Sequence, residues 1–246
     1  MPEDASPFFI APHRFDAPDD GLRPVLDRRY ELVPEPGERV LRRFRAPVAG
    51  CLLGPTTSRR EWVLPDPATV TVTDRRLAYV CTGAELSVIS GRDGRSGARH
   101  RRGVRLSRLV SGQVRWQWPS RLELPPAATG PTRDGFAAEE SGAELLVVCD
   151  ALRTIQQPAL ALGGPLRTVA ELAALIRRSV AGYRLTHPEV VELSPPERDE
   201  LARRAVAVPL AGATRVTLPG SLPVEFLSRE DYYRMPTTPT RDAVGG

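Results

Sequence analysis

Val169, Leu172, Ala173, Ile176, Val180 and Tyr183 recur at helical spacing along one side of an otherwise polar stretch, and this stripe, more than any other feature, limits what the chain can fold into. Such a face is stable only when it packs on a second apolar surface. What precedes it in the sequence offers short alternating segments. Thr69–Thr73 sets Val70 and Val72 on one side and threonines on the other, Asp74 and Arg75 turn the chain, and Arg76–Cys81 returns as the second arm of a hairpin. Gln113–Trp118 alternates sharply, with Val114, Trp116 and Trp118 on one face, so both tryptophans are expected in the core. Glu38–Val48, Glu61–Leu64, Arg121–Leu124 and Glu144–Cys149 read as further strands, and Glu85–Ile89 as an extension of the hairpin beyond a bend at Gly83. The expected class is mainly β with α: a bent antiparallel sheet or partly open β-barrel capped by a C-terminal amphipathic helix.

The helix opens on a capping box, Thr168 with Glu171, and Arg177, Arg178 and Arg184 toward its end suit the helix dipole. A second box, Ser194 with Glu197 and with Pro195 in the first turn, predicts a short helix over 195–207. The apolar face of that helix, Leu201 and Ala205, is thin enough to lie on the surface or to meet a partner. Beyond it, Thr214–Leu218 and Pro223–Leu227 read as a hairpin across Pro219–Leu222, with prolines in both flanks counting against it.

Prolines mark the limits of the folded region. There are 25 of them, about twice the usual share. Residues 1–36 hold seven and show no sustained apolar period, which predicts an extension docking through Phe8, Phe9 and Ile10. A domain is expected over 37–185, interrupted by an arginine-rich loop at 90–103 and a proline-rich insertion at 125–135, and followed by a C-terminal extension over 186–246.

The segment Thr69–Val80, TVTVTDRRLAYV, resembles the hairpin signature of bacterial pleckstrin-homology-like (PH-like) and GRAM-like domains. In that signature a strand ends in a Thr-Asp or Thr-Asn turn before a basic residue and another strand. The opening Gly-Glu-x-Val at Gly37–Val40 and the late helix sit where that family has them. The resemblance spans residues 37–185 and implies a fold used to bind lipids, peptides or partner domains, usually without catalysis.

All 34 basic residues are arginine, and the chain has no lysine or asparagine. GC-rich codon usage accounts for most of that bias, yet each cation remains a planar fork suited to carboxylate or phosphate. The net charge of +4 does not by itself demand a nucleic-acid partner. Locally, Arg92, Arg95, Arg99, Arg101, Arg102 and Arg105, together with His100 and Arg108, form the sharpest cluster and are the candidate anion-binding residues. A solvated basic insertion is the simpler reading of the same run.

Cys51, Cys81 and Cys149 have neither disulfide nor zinc spacing and are expected as buried thiols. His13, His100 and His187 lack an identifiable nucleophile or metal partner, and Ser90–Gly94 lacks the ending of a phosphate loop. No catalytic residue, cofactor or metal is therefore assigned. No apolar run approaches the roughly 20 residues of a spanning helix, and the first residues, with Glu3 and Asp4, do not resemble a secretory signal. The expectation is a cytoplasmic, non-catalytic adaptor that engages a protein partner. The alternative is recruitment to anionic lipid or nucleic-acid phosphate through residues 92–108.

Overall fold

Proline fixes φ near an extended value and lacks an N–H, so within a strand it can divert hydrogen bonding without stopping the chain. Pro47 does this at the point where the two main sheets of the protein meet. The computed structural model describes residues 11–12, 24–54, 59–64, 66–82, 85–90, 100–105, 109–124, 142–152, 157–206 and 215–225. The first strands are β1 (Ala11–Pro12), β2 (Val40–Ala46), β3 (Val48–Leu53), β4 (Arg59–Val63), β5 (Ala68–Thr73), β6 (Arg76–Cys81) and β7 (Glu85–Ser90). They are followed by β8 (His100–Arg105), β9 (Val110–Arg115), β10 (Pro119–Glu123), β11 (Gly142–Cys149) and β12 (Gln157–Pro165). Helices α1 (Leu166–Thr186) and α2 (Pro195–Val206) come next, then β13 (Arg215–Thr217) and β14 (Val224–Glu225).

Before Pro47, β2 pairs with β5; after it, β3 pairs with β12 and β4. One stretch of chain is thus the edge of a four-stranded sheet, β2-β5-β6-β9, and an inner strand of an eight-stranded sheet, β13-β10-β11-β12-β3-β4-β7-β8. Every strand pairing described is antiparallel. Among the described residues the structure is mainly β, with two helices and no closed barrel.

The inner faces of both sheets share one core. Val70, Val72, Leu77, Tyr79 and Val114 from the four-stranded sheet meet Val48, Leu145, Val147, Leu160 and Leu162 from the eight-stranded one. The apolar side of α1, Val169, Leu172, Ala173, Ile176 and Val180, belongs to the same cluster. At about 1.5–3 kcal/mol for each large aliphatic side chain fully buried, that packing outweighs helix propensity in fixing α1. Trp116 and Trp118, both at 0% exposure, lie in this core as expected, on the turn between β9 and β10. The thin face of α2 is accounted for within the chain: Leu201 packs with Ala181, Val191 and Leu193.

Several expectations are corrected. The Thr168–Glu171 box does not cap α1, because β12 runs straight into the helix and Pro165 is its N-cap, with no side-chain cap bond. Glu171 instead meets Arg167 at 3.2 Å and Arg42 at 3.7 Å. The second box does form, with the Ser194 N–H donating to Glu197 at 3.0 Å and its hydroxyl at 2.6 Å. β13 and β14 do not pair with each other: β13 adds to the edge of β10 and β14 pairs with β1. The Ser90–Gly103 stretch is not all loop, since 100–105 forms β8, paired with β7. β7 itself joins β4 in the eight-stranded sheet and does not prolong the hairpin. Phe8, Phe9, Ile10 and the 125–135 insertion lie outside the described residues.

Arg184 holds three separate segments together. It is fully buried, and its guanidinium donates to four backbone carbonyls: Trp116 at 3.0 Å, Pro119 at 2.6 Å, Leu218 at 2.8 Å and Pro219 at 2.5 Å. Burial pushes its pKa down to about 9, still above neutrality, so it is a cation at pH 7. The clamp ties the end of α1 to the β9–β10 turn and to the chain after β13. Arg184→Leu is expected to lower unfolding free energy by about 2–4 kcal/mol, because four carbonyls lose their donor. Arg184→Lys recovers only part of this, since an ammonium cannot span the same fork. Urea unfolding measures both, and a midpoint unchanged in Arg184→Leu would refute the clamp.

Candidate functional site

Threonine in a turn can accept hydrogen bonds from N–H groups two and three residues on, and aspartate beside it can reach back to a neighbouring strand. The Thr73–Arg76 turn uses both. Thr73 Oγ1 accepts from the N–H groups of Arg75 and Arg76 at 3.0 and 2.9 Å, and lies 2.7 Å from Glu38. Asp74 accepts from the Arg39 N–H at 2.9 Å and from its guanidinium at 3.1 Å. Arg76, only 2% exposed, grips Glu38 through Nε and Nη2 at 2.9 and 2.7 Å and reaches Gln113 through Nη1 at 2.6 Å. Glu35 completes the group, 3.2 Å from Arg76 and 2.6 Å from Arg115.

Gly37 makes this possible with φ +76, the left-handed turn that brings Glu35 and Glu38 back over the sheet. The motif behind the family resemblance therefore fastens residues 31–39 across the four-stranded sheet, on the face opposite the core. Arg43 extends the fastening by donating to Glu31 at 2.8 Å.

Around that segment the surface changes character. Seven large apolar side chains are exposed among the described residues, and five of them, Val25, Tyr30, Val33, Val40 and Leu41, fall within residues 25–41. Tyr30 sits at φ 61, a conformation that non-glycine residues seldom adopt. Val40 and Leu41, 42% and 44% exposed, lie on β2, which among the described residues ends its sheet and pairs only with β5. Arg28, Arg29, Arg39, Arg43 and Arg45 are exposed in the same region, while Arg42 lies 5.5 Å over the Phe44 ring. This open, basic and partly apolar edge is the candidate site. The edge position of β2 depends on pairing partners far away in the chain.

Of the predicted anion-binding residues, Arg92, Arg95 and Arg99 lie outside the described residues. Arg101, Arg102 and Arg105 lie in β8, opposite Ile89, Val88 and Glu85, on the last strand of the eight-stranded sheet. All three cysteines are buried and unbridged. Burial, with Asp150 adding to it, pushes the Cys149 thiol up to about 12, so it is no nucleophile at neutral pH. His187 stacks on Tyr183 at 4.2 Å at the end of α1. Among the described residues no group of three or more His, Cys, Asp or Glu is placed to hold a metal ion, and no helix is long and apolar enough to cross a membrane. No family model, curated protein or solved structure matches the chain.

Burial raises the pKa of Glu38, but hydrogen bonds from Arg76, the Glu35 N–H and Thr73 more than offset it and hold the carboxyl below its usual range. A depressed folded-state pKa adds stability above the unfolded value, 4.5, and that stability is lost as pH falls through the folded value. Glu38→Gln is expected to cost about 3 kcal/mol at pH 7 by leaving Arg76 underpaired, and to flatten the acid limb of the stability curve. Urea midpoints at pH 7 and below pH 4.5 check both; an acid limb as steep as in the parent would exclude Glu38 as its source.

Proposed function

We propose that this chain is a PH-like, non-catalytic binding module of the cytoplasm that engages a protein partner. The observation that carries the reading is the shared strand: β2 and β3 run through Pro47 into two antiparallel sheets, and α1 fills their common core. A bent antiparallel array with one late helix packed into it is what the hairpin resemblance implies, and such folds serve chiefly as rigid platforms for ligands held at edges and loops. The ordered turn chemistry of Thr73–Arg76 supports it further, because Thr73, Asp74 and Arg76 of the quoted motif each have a structural task there. Fold alone does not select a ligand. A protein partner is favoured by the exposed apolar residues beside an open strand edge, since exposed apolar clusters mark interaction surfaces.

Affinity capture with the whole chain from native cytosol tests this. The expected result is a specific protein retained by the folded chain and lost from the Arg184→Leu variant above its melting temperature. Retention no greater than by an unrelated arginine-rich protein of equal net charge would count against an adaptor.

A second reading rests on the position of Arg101, Arg102 and Arg105 on a terminal strand. It is recruitment to anionic lipid or nucleic acid. Replacing Arg99, Arg101 and Arg102 by alanine is then expected to weaken binding to phosphatidylserine vesicles or duplex DNA at low ionic strength by roughly a hundredfold, at about 1 kcal/mol per arginine. Unchanged retention disposes of it.

A further inference from the structure

An unpaired strand edge offers a row of N–H and C=O groups to any extended chain that reaches it, and proteins normally protect such edges. β2 is seven residues long, ends the four-stranded sheet, and carries exposed Val40 and Leu41. It also carries Arg42, Arg43 and Arg45, with Arg39 just before it. These cations bar one partner. A second copy of β2 laid antiparallel on the first would set arginines against arginines, and like charges opposed across a strand pair are destabilising.

The same charges favour a strand of opposite sign. Arg45 makes no ion pair with a carboxylate among the described residues; it donates to the Pro67 carbonyl at 3.1 Å. Arg42 is 3.7 Å from Glu171, longer than a good charged hydrogen bond. Arg45 can turn to an incoming carboxylate by giving up one hydrogen bond to a carbonyl, and Arg42 by giving up a long ion pair and its contact with the Phe44 ring. The apolar residues alongside, Val33 and Tyr30 on the fastened segment and Leu41 on the edge itself, give the arriving chain a surface to cover.

We infer that the open edge of β2 takes an extended segment of a partner protein by strand addition, and that this segment carries acidic residues alternating with β-branched or aromatic ones. The inference rests on the adaptor reading and names the chemistry of its partner. Backbone pairing supplies the affinity, the arginines select the sign of charge, and Leu41 together with the half-buried Phe44 selects apolar side chains.

Random dodecapeptides displayed against the intact, full-length chain provide the test. The expected result is enrichment of alternating acidic and β-branched or aromatic residues. Selected peptides should lose about tenfold in affinity with the double variant Arg42→Glu/Arg45→Glu and again with Leu41→Asp, at two or more opposed charge pairs per peptide. Arg178→Glu, on the exposed side of α1, should leave binding unchanged. N-methylation of alternate peptide nitrogens should abolish binding, which a contact through side chains alone would not do. Melting temperatures identify any variant that fails to fold, and Leu41→Asp and the double variant act through different chemistry, so one folded variant suffices. Enriched peptides that are basic, indifferent to both β2 variants or indifferent to N-methylation would overturn strand addition at this edge while leaving the adaptor reading standing. No enrichment at all would overturn it as well, and the capture experiment would then judge the adaptor reading separately.

Discussion

A strand that belongs to two sheets cannot be straight, and the bend at Pro47 is the constraint on which the rest of this structure depends. Because β2 and β3 are consecutive, the four-stranded and eight-stranded sheets must diverge from a single line and curve around whatever lies between them. That interior has to be filled with apolar volume, since an empty one would lose both transfer energy and dispersion contacts. The two tryptophans of the β9–β10 turn and the apolar side of α1 fill it. The helix is in this sense the filler that a shared strand demands.

Two arginines inside the protein show how such a fold tolerates charge. Arg76 is buried with two carboxylates and an amide held in place for it, so its charge is compensated and the segment bearing Glu35 and Glu38 is fixed. Arg184 is buried against carbonyl dipoles alone, and what it fixes is the polypeptide backbone of three segments distant in sequence. Either would be a liability if a partner were missing, because an unpaired buried charge costs several kcal/mol. Both therefore link the peripheral segments, residues 31–39 and 215–220, to the integrity of the core. These segments are structural parts of the molecule, with Leu32 and Leu218 almost wholly buried.

The strand edges have unequal prospects. The edge of β10 is already occupied by β13, whose carbonyl neighbours are held by Arg184. Among the described residues β2 has no such cover, and its outward residues are arginines and an exposed leucine. Negative protection against self-pairing and positive selection of an acidic strand are the same charges seen by two different partners.

Local pattern carried a good deal of this. The hairpin around Asp74, the alternation through Trp116 and Trp118 and the stripe on α1 were legible because apolar residues recur in each with the period of its element, which side-chain periodicity reports directly. The strand Gln157–Pro165 was illegible for the opposite reason. It contains two prolines, two glycines and no β-branched residue, and it is extended only because β11 and β3 flank it on both sides. The Thr168–Glu171 box misled because a capping signature is local, whereas the helix start was set by the end of a strand. The edge position of β2, the docking of β13 on β10 and the four carbonyls around Arg184 likewise depend on residues tens of positions apart. Sequence by itself determined which short segments must hide one face; tertiary structure alone decided which neighbour each would hide against, because hydrogen-bond pairing between strands is made through backbone groups that every residue shares.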